Sequence, residues 1–201
     1  ILVMHCELWF PSVLWSAIIH VVDNAIIKTY VYDRKRTDRG RTVSNFGGWQ
    51  STDILAGEND QIDRLVQQLN QETKNCCLQV GLPRLEIKNI WLNINPPASY
   101  NQLHNHAGSV LSGVYYVDAS PGQGNLLFDS NDGAEYILPD LVEKNTYFTS
   151  TRATYNCKTN GLYIFPSWMK HSVEGNQSNT DRISVSCNYG ERKGDWKKIL
   201  N

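Results

Sequence analysis

Ile62, Leu65, Val66 and Leu69 stand at i, i+3, i+4 and i+7, the spacing that gathers apolar side chains on one face of a helix. The pattern predicts a helix from Asp60 to about Cys77, with Asn59 or Asp60 as N-cap and Gly81 and Pro83 as its end. Beyond Pro83 the period drops to two. In "EIKNIWLNIN" (86–95), Ile90, Leu92 and Ile94 point one way and Trp91, Asn93 and Asn95 the other, as in a half-buried strand. "VLSGVYYV" (110–117), "NLLFD" (125–129) after the turn "PGQG" (121–124), "GLYIFPSW" (161–168) and "RISVSCNYG" (182–190) read as further strands. "SNFGGWQSTD" (44–53) reads as loop, or as a lid, and "LWFPSVLW" (8–15) as an opening strand or turn. A mixed helical segment followed by short antiparallel strands is an α+β pattern. The expected architecture is one domain over 1–201, with 1–85 supporting a jelly-roll core over 86–190.

Composition narrows the classes. Hydrophobic residues at 41% against 19% charged argue for a globular chain. A net charge of -1 points away from nucleic-acid and membrane-surface partners. "DRKRTDRGR" (33–41) sets five basic residues against two aspartates and reads as a solvated loop, with polyanion binding the lesser reading. Cys6, Cys76, Cys77, Cys157 and Cys187 form an odd set with no C-x-x-C spacing, which suits neither a disulfide framework nor a zinc module. Reduced thiols and a cytoplasmic location are expected. The apolar opening "ILVMHCELWFPSVLWSAIIHVV" lacks a basic start and is broken by Glu7 and Pro11, so it is read as packed structure.

Candidate chemistry begins at "YNQLHNHAGS" (100–109). A His-x-His pair at a strand end sends both imidazoles to one side, which is half a metal site. A third histidine, His171, lies in "FPSWMKHSVEGN" (165–176), between two predicted strands. On 182–190 Arg182, Ser184, Ser186 and Asn188 share one face, while Ile183, Val185, Cys187 and Tyr189 share the other. An arginine and hydroxyls on one face can fork a carboxylate. Three imidazoles plus such a clamp suit non-haem Fe(II), which takes three protein ligands on one side and keeps open positions on the other. His5 and His20 read as packing or surface residues, and Cys187 as a small buried hydrophobe.

The stretch from "WLNINPPASYNQLHNHAGSVLSGVYYV" through "GLYIFPSWMKHSVEGN" to "DRISVSCNYG" resembles the Fe(II)/2-oxoglutarate-dependent oxygenases. More narrowly it is similar to a family of marine bacteria and phages with an H-x-H-x-G-S-x-x-S-G-V-Y-Y run, here His104 to Tyr116. The likeness is close over 86–190 and loose over "GRTVSNFGGWQS" (40–51). It implies a double-stranded β-helix (jelly-roll) core, Fe(II), 2-oxoglutarate and O2 as cosubstrates, and hydroxylation with release of succinate and CO2. His104 matches the first histidine of the superfamily's H-x-[DE] motif and His171 the distal histidine. Arg182 and Ser184 match the pair that holds the far carboxylate of 2-oxoglutarate, and Tyr116 matches a tyrosine that assists it in prolyl hydroxylases. Asn93 and Asn95 reach the cosubstrate or face solvent, and Trp91, Trp168 and Tyr100 are candidates to line the pocket.

His106 is the departure, because the superfamily carries Asp or Glu there. The third ligand is then His106 itself, or Asp129 at the end of "NLLFD", or water. Two rivals stay in view: a cupin-like three-histidine enzyme that does without 2-oxoglutarate, and a non-catalytic jelly-roll binding protein. Arg182-x-Ser184 favours the oxygenase. The substrate class left open is a small molecule or a protein side chain.

Overall fold

The computed structural model describes residues 10–130 and 144–190. His5, Cys6 and the start of "LWFPSVLW" therefore lie outside the described residues. Strand β1 (Trp15–Ile18) and helix α1 (Asn24–Thr37) open the described chain, followed by the short strands β2 (Asn45–Phe46) and β3 (Trp49–Gln50). Helix α2 (Asp60–Val80) precedes β4 (Glu86–Asn95), β5 (Tyr100–His104), β6 (Leu111–Asp118) and β7 (Asn125–Asp129). The last four strands are β8 (Arg152–Asn156), β9 (Gly161–Pro166), β10 (His171–Val173) and β11 (Arg182–Gly190).

These strands form two antiparallel sheets, one ordered β1-β9-β6-β11-β4-β3 and the other β2-β5-β10-β7-β8. The result is the expected double-stranded β-helix. Alternation sorts the larger sheet into two faces. Ile90, Leu92 and Ile94 of β4, Tyr115 and Val117 of β6, Leu162 and Ile164 of β9, and Ile183, Val185 and Cys187 of β11 are buried in one core with both helices. The opposite face turns toward the second sheet, where Tyr116, Leu126, Phe128, Tyr163 and Phe165 form a smaller core. A register shift between Asn188 and Tyr189 brings Tyr189 opposite Ile87, so that Ile87 and Ile90 both face the helices.

Helix α2 follows its predicted pattern, with Ile62, Leu65, Val66 and Leu69 all buried. Asn59 caps it, its Oδ1 accepting from the amides of Gln61 at 3.0 Å and Ile62 at 3.1 Å. Gly81 ends it in the left-handed region, at φ 71°.

Several elements escaped the pattern. Helix α1 buries only Ile27 and Val31 along its length, too narrow an apolar stripe to stand out. Its last turns absorb half of the basic run, which is therefore not simply a loop. Arg34 pairs with Glu58 and Asp38, Arg36 with Asp33 at 3.1 Å, and Arg41 with Asp53 at 2.7 Å. Carboxylates of this chain thus already partner three of those basic residues. The stretch 44–53 is not purely loop, since β2 joins the edge of one sheet and β3 the edge of the other. Strand β8 is mostly exposed and polar, and β10 is three residues long, so neither shows a period.

Cys76, Cys77, Cys157 and Cys187 are free and buried. Burial pushes the Cys187 thiol up to about 12 and Cys76 to about 11, so both stay protonated packing groups. No helix among the described residues is long and apolar enough to cross a membrane.

Leu92 is fully buried between sheet and helices. Leu92→Ala is expected to lower stability by about 2–5 kcal/mol through lost burial and a residual cavity, read from the urea midpoint at unchanged slope.

Candidate active site

Strand β5 ends at His104 and β10 begins at His171, and the two residues face each other across the sheet. His171 is therefore a strand residue rather than part of a connection. His106 follows in the turn after β5, where its amide donates to the Ser167 carbonyl at 2.9 Å. The three ring centroids lie 4.2 to 5.1 Å apart. One nitrogen of each ring falls within 4.8 Å of the others, and among the described residues this is the group able to hold a metal ion.

Each imidazole has a fixed tautomer. The Nδ1–H of His104 donates to the Gln102 carbonyl at 2.7 Å and that of His171 to the Met169 carbonyl at 3.0 Å. His106 uses a side-chain network instead. Its Nδ1–H donates to Asn188 Oδ1 at 2.6 Å, with Ser112 Oγ 2.8 Å away. Ser112 also meets Ser167 Oγ at 2.7 Å, and Asn188 Nδ2 donates to Asn89 Oδ1 at 3.2 Å. With Nδ1 protonated in all three, Nε2 carries the lone pair, and partners of this kind orient metal-binding imidazoles. Burial lowers His104 below the usual imidazole range and pushes His106 down to about 4 and His171 down to about 3, with repulsion from His104 adding to both. At neutral pH the rings are uncharged and ready to ligate.

Asp129 does not join them. His171 sits opposite Phe128 in register, and the Phe128 ring packs against it on the inner face. Alternation turns Asp129 outward, where its Oδ1 accepts from Arg152 Nε at 2.6 Å.

The histidines line a cavity of about 400 Å³ whose other wall comes from the inner face of β4 and β11. Trp91, Asn93 and Asn95 line it, as do Arg182, Ser184, Ser186 and Asn188, the residues placed on these faces by alternation. Tyr116 lines it too and is buried, which raises its phenol well above the ordinary value and keeps it a donor. Asn93 Nδ2 donates to Ser186 Oγ at 3.0 Å and reaches Ser184 Oγ at 3.4 Å. Two expected wall residues stand elsewhere: Trp168 is exposed outside the cavity, and Tyr100 stacks on Phe46 at 4.9 Å.

Arg182 is 1% exposed. Its Nη1 donates to the Gln123 carbonyl, while its Nη2 is buried without a hydrogen-bond partner among the described residues. Gly124 makes room for this, because a Cβ there would lie 2.3 Å from the Glu174 carbonyl oxygen and 2.9 Å from Arg182 Nη1. A buried cation with a free donor on a cavity wall is a seat for an anion. The supports at Gln123, Gly124 and Asn188 were missed in the sequence. Only Asn188 left a signal there, since it shares the Arg182 face of its strand.

The family described as "Putative 2OG-Fe(II) oxygenase" matches residues 89–188. The chain belongs to the 2OG-Fe(II) oxygenases. No curated protein sequence matches it. Among solved structures, the oxygenase is similar to a Pseudomonas putida prolyl-4-hydroxylase, with TM-score 0.62, 15% identity, and 90% of this chain and 94% of that one covered. It is also similar to the viral collagen prolyl hydroxylase of Paramecium Bursaria Chlorella virus-1 in its 2OG complex, with TM-score 0.59, 12% identity, and 88% and 94% covered. A third is the epimerase SnoN in complex with Fe3+, alpha ketoglutarate and nogalamycin RO, with TM-score 0.60, 16% identity, and 89% and 79% covered. At these identities the likeness is one of fold. The oxygenase is a dioxygenase that works with Fe(II), 2-oxoglutarate and O2. Its residues fit these partners: three neutral imidazoles could hold the metal, and the unpaired Nη2 of Arg182 could hold a carboxylate.

Gly124 has φ +90° as well as no room for a side chain. Gly124→Ala is expected to cost at least about 1–3 kcal/mol from backbone strain, read by urea denaturation. An unchanged midpoint would mean that the turn does not support Arg182.

Proposed function

We propose that His104, His106 and His171 are the ligands of Fe(II), that Arg182 and Ser184 bind the far carboxylate of 2-oxoglutarate, and that the enzyme hydroxylates its substrate. The observation that carries this reading is the buried guanidinium with an unmet donor, on the same cavity as three converging imidazoles. An isolated buried charge is costly, and a dianionic cosubstrate offsets that cost as it enters. A cupin-like enzyme without 2-oxoglutarate has no use for such a group.

The chain's own residues divide the work. The carbonyls of Gln102 and Met169 and the side chain of Asn188 hold the three rings so that the Nε2 lone pairs point inward. Arg182, anchored by Gln123, supplies one arm of a carboxylate fork, and Ser184 and Tyr116 offer hydroxyl donors beside it. Asn93 steadies Ser184 and Ser186. Trp91 and Phe165 flank His106 and keep bulk water from that side. Fe(II) held by these imidazoles would supply the oxidising chemistry, coupling decarboxylation of 2-oxoglutarate by O2 to hydroxylation of a substrate C–H bond. Hydroxylation accords with the prolyl hydroxylases of like fold, among which the epimerase SnoN also stands.

Anaerobic titration of the Fe(II)-loaded protein with 2-oxoglutarate, followed by the weak visible charge-transfer band of the chelate, tests the assignment. Arg182→Ala is expected to weaken 2-oxoglutarate roughly 30-fold or more, the effect of about 2 kcal/mol for losing one partner of a buried charge pair. His106→Ala is expected to abolish or shift the band. Metal binding without any band would return the site to the cupin-like reading.

A second measurement isolates the support of the third ligand. Asn188→Ala is expected to weaken Co(II), followed by its visible spectrum, about 10–100-fold, with Asn188→Asp restoring most of the loss. Equal affinities across the three proteins would mean that Asn188 does not orient the His106 ring for the metal.

A further inference from the structure

Assigning the imidazoles and Arg182 leaves one buried polar group on the cavity wall without a task. Gln50 is 7% exposed and lines the cavity. It pairs in register with Asn93, and its neighbour Trp49 packs against the helix-side core, so alternation turns Gln50 inward. Its backbone carbonyl accepts from the Arg41 amide at 2.8 Å. Among the described residues its side-chain amide has no hydrogen-bond partner. The amide is not sealed inside the protein: its donor and acceptor open onto the cavity.

The neighbouring amides are half-used. Asn95 gives its Nδ2 to Asn101 Oδ1 at 3.3 Å, which leaves the Asn95 carbonyl oxygen over. Asn93 likewise spends Nδ2 on Ser186, and Asn89 spends its carbonyl oxygen on Asn188. The wall thus offers several hydrogen-bonding positions, and charge is nearly absent from it. Among the described residues no aspartate or glutamate lines the cavity, and the arginines that do are Arg41, paired with Asp53 at 2.7 Å, and Arg182. An ammonium on the substrate would meet no counter-ion, and a second carboxylate would find both arginines engaged, so either would lose its hydration without compensation. What remains is a neutral group with donors and acceptors. A carboxamide such as Gln50 presents its donor and acceptor in one plane, and the N–H and C=O of one extended amino-acid residue, which point to the same side, answer both at once.

We propose that the enzyme acts on a neutral, amide-bearing substrate, an amino-acid unit with both its amine and its carboxyl tied up as amides, and that Gln50 is the residue that selects it. Val43 and Leu103, exposed side chains on the cavity lining, give the flanking parts of such a substrate an apolar rim. The inference rests on the assignment of Arg182 to 2-oxoglutarate.

The test is a ligand-observed NMR titration of Zn(II)-loaded protein, with and without 2-oxoglutarate. The probes are a panel of N-acetyl amino-acid N-methylamides, the matching free amino acids, and methyl glucoside. At least one capped amide is expected to bind, with its free amino acid and the glucoside at least tenfold weaker. Gln50→Leu should lower affinity for that amide at least tenfold while keeping a cooperative thermal transition, and Gln50→Glu serves in its place if the leucine variant fails to fold. The proposal is overturned if no capped amide binds, if the free amino acid or glucoside binds as well, or if the variant binds unchanged. Uptake of 2-oxoglutarate in the same samples separates the two assignments. Cosubstrate bound with no amide selectivity sinks only this inference, whereas selective amide binding without cosubstrate uptake sinks the oxygenase assignment of Arg182.

Discussion

On β4, β6 and β11 one stretch of backbone has to serve two environments, and the two-residue period of a strand lets it do so. Ile90, Leu92 and Ile94, with Ile183, Val185 and Cys187, close the core against the helices. The residues between them, Trp91, Asn93 and Asn95 with Arg182, Ser184 and Ser186, wall the cavity. A slip of one residue in either ladder would exchange the two sets, burying amides and a guanidinium beneath α2 and exposing the core. The helix-side core therefore fixes the register, and the register places the site.

The opposite wall works by a different constraint. His104 and His171 meet because two short strands of the second sheet stand side by side, and His106 joins them from a turn. Burial does the electrostatic work. It keeps all three imidazoles neutral, so that none of them would offset the charge of a divalent metal held there. A site with a carboxylate ligand would carry one negative charge more. Here the counter-charge would have to arrive with what binds, and on the proposed assignment a dianionic cosubstrate at Arg182 would supply it.

The basic run at 33–41 illustrates how local composition misleads. Read along the chain it is an excess of positive charge, but folding brings Glu58 to Arg34 and Asp53 to Arg41. Those partners lie 24 and 12 residues away in sequence. A charge count over nine residues cannot contain them.

By itself the sequence determined what depends on local period and local chemistry. Helix α2, the two faces of β4 and β11, the strand β7 and the set of three histidines with Arg182 could all be read from it, because burial on one face imposes spacing within a single element. It determined neither α1, whose apolar stripe is too thin, nor β5, β8 and β10, which are short or polar and take their conformation from neighbours across the sheet. Only the tertiary structure set His106 beside His104 and His171 and turned Asp129 away, since one register step directs Asp129 to Arg152 on the outer face. It alone revealed that Arg182 leans on Gln123, that Asn188 orients His106, and that Gln50 lines the cavity. Each of those facts is a meeting of residues distant in the chain, settled by how two sheets and two helices close around a common interior.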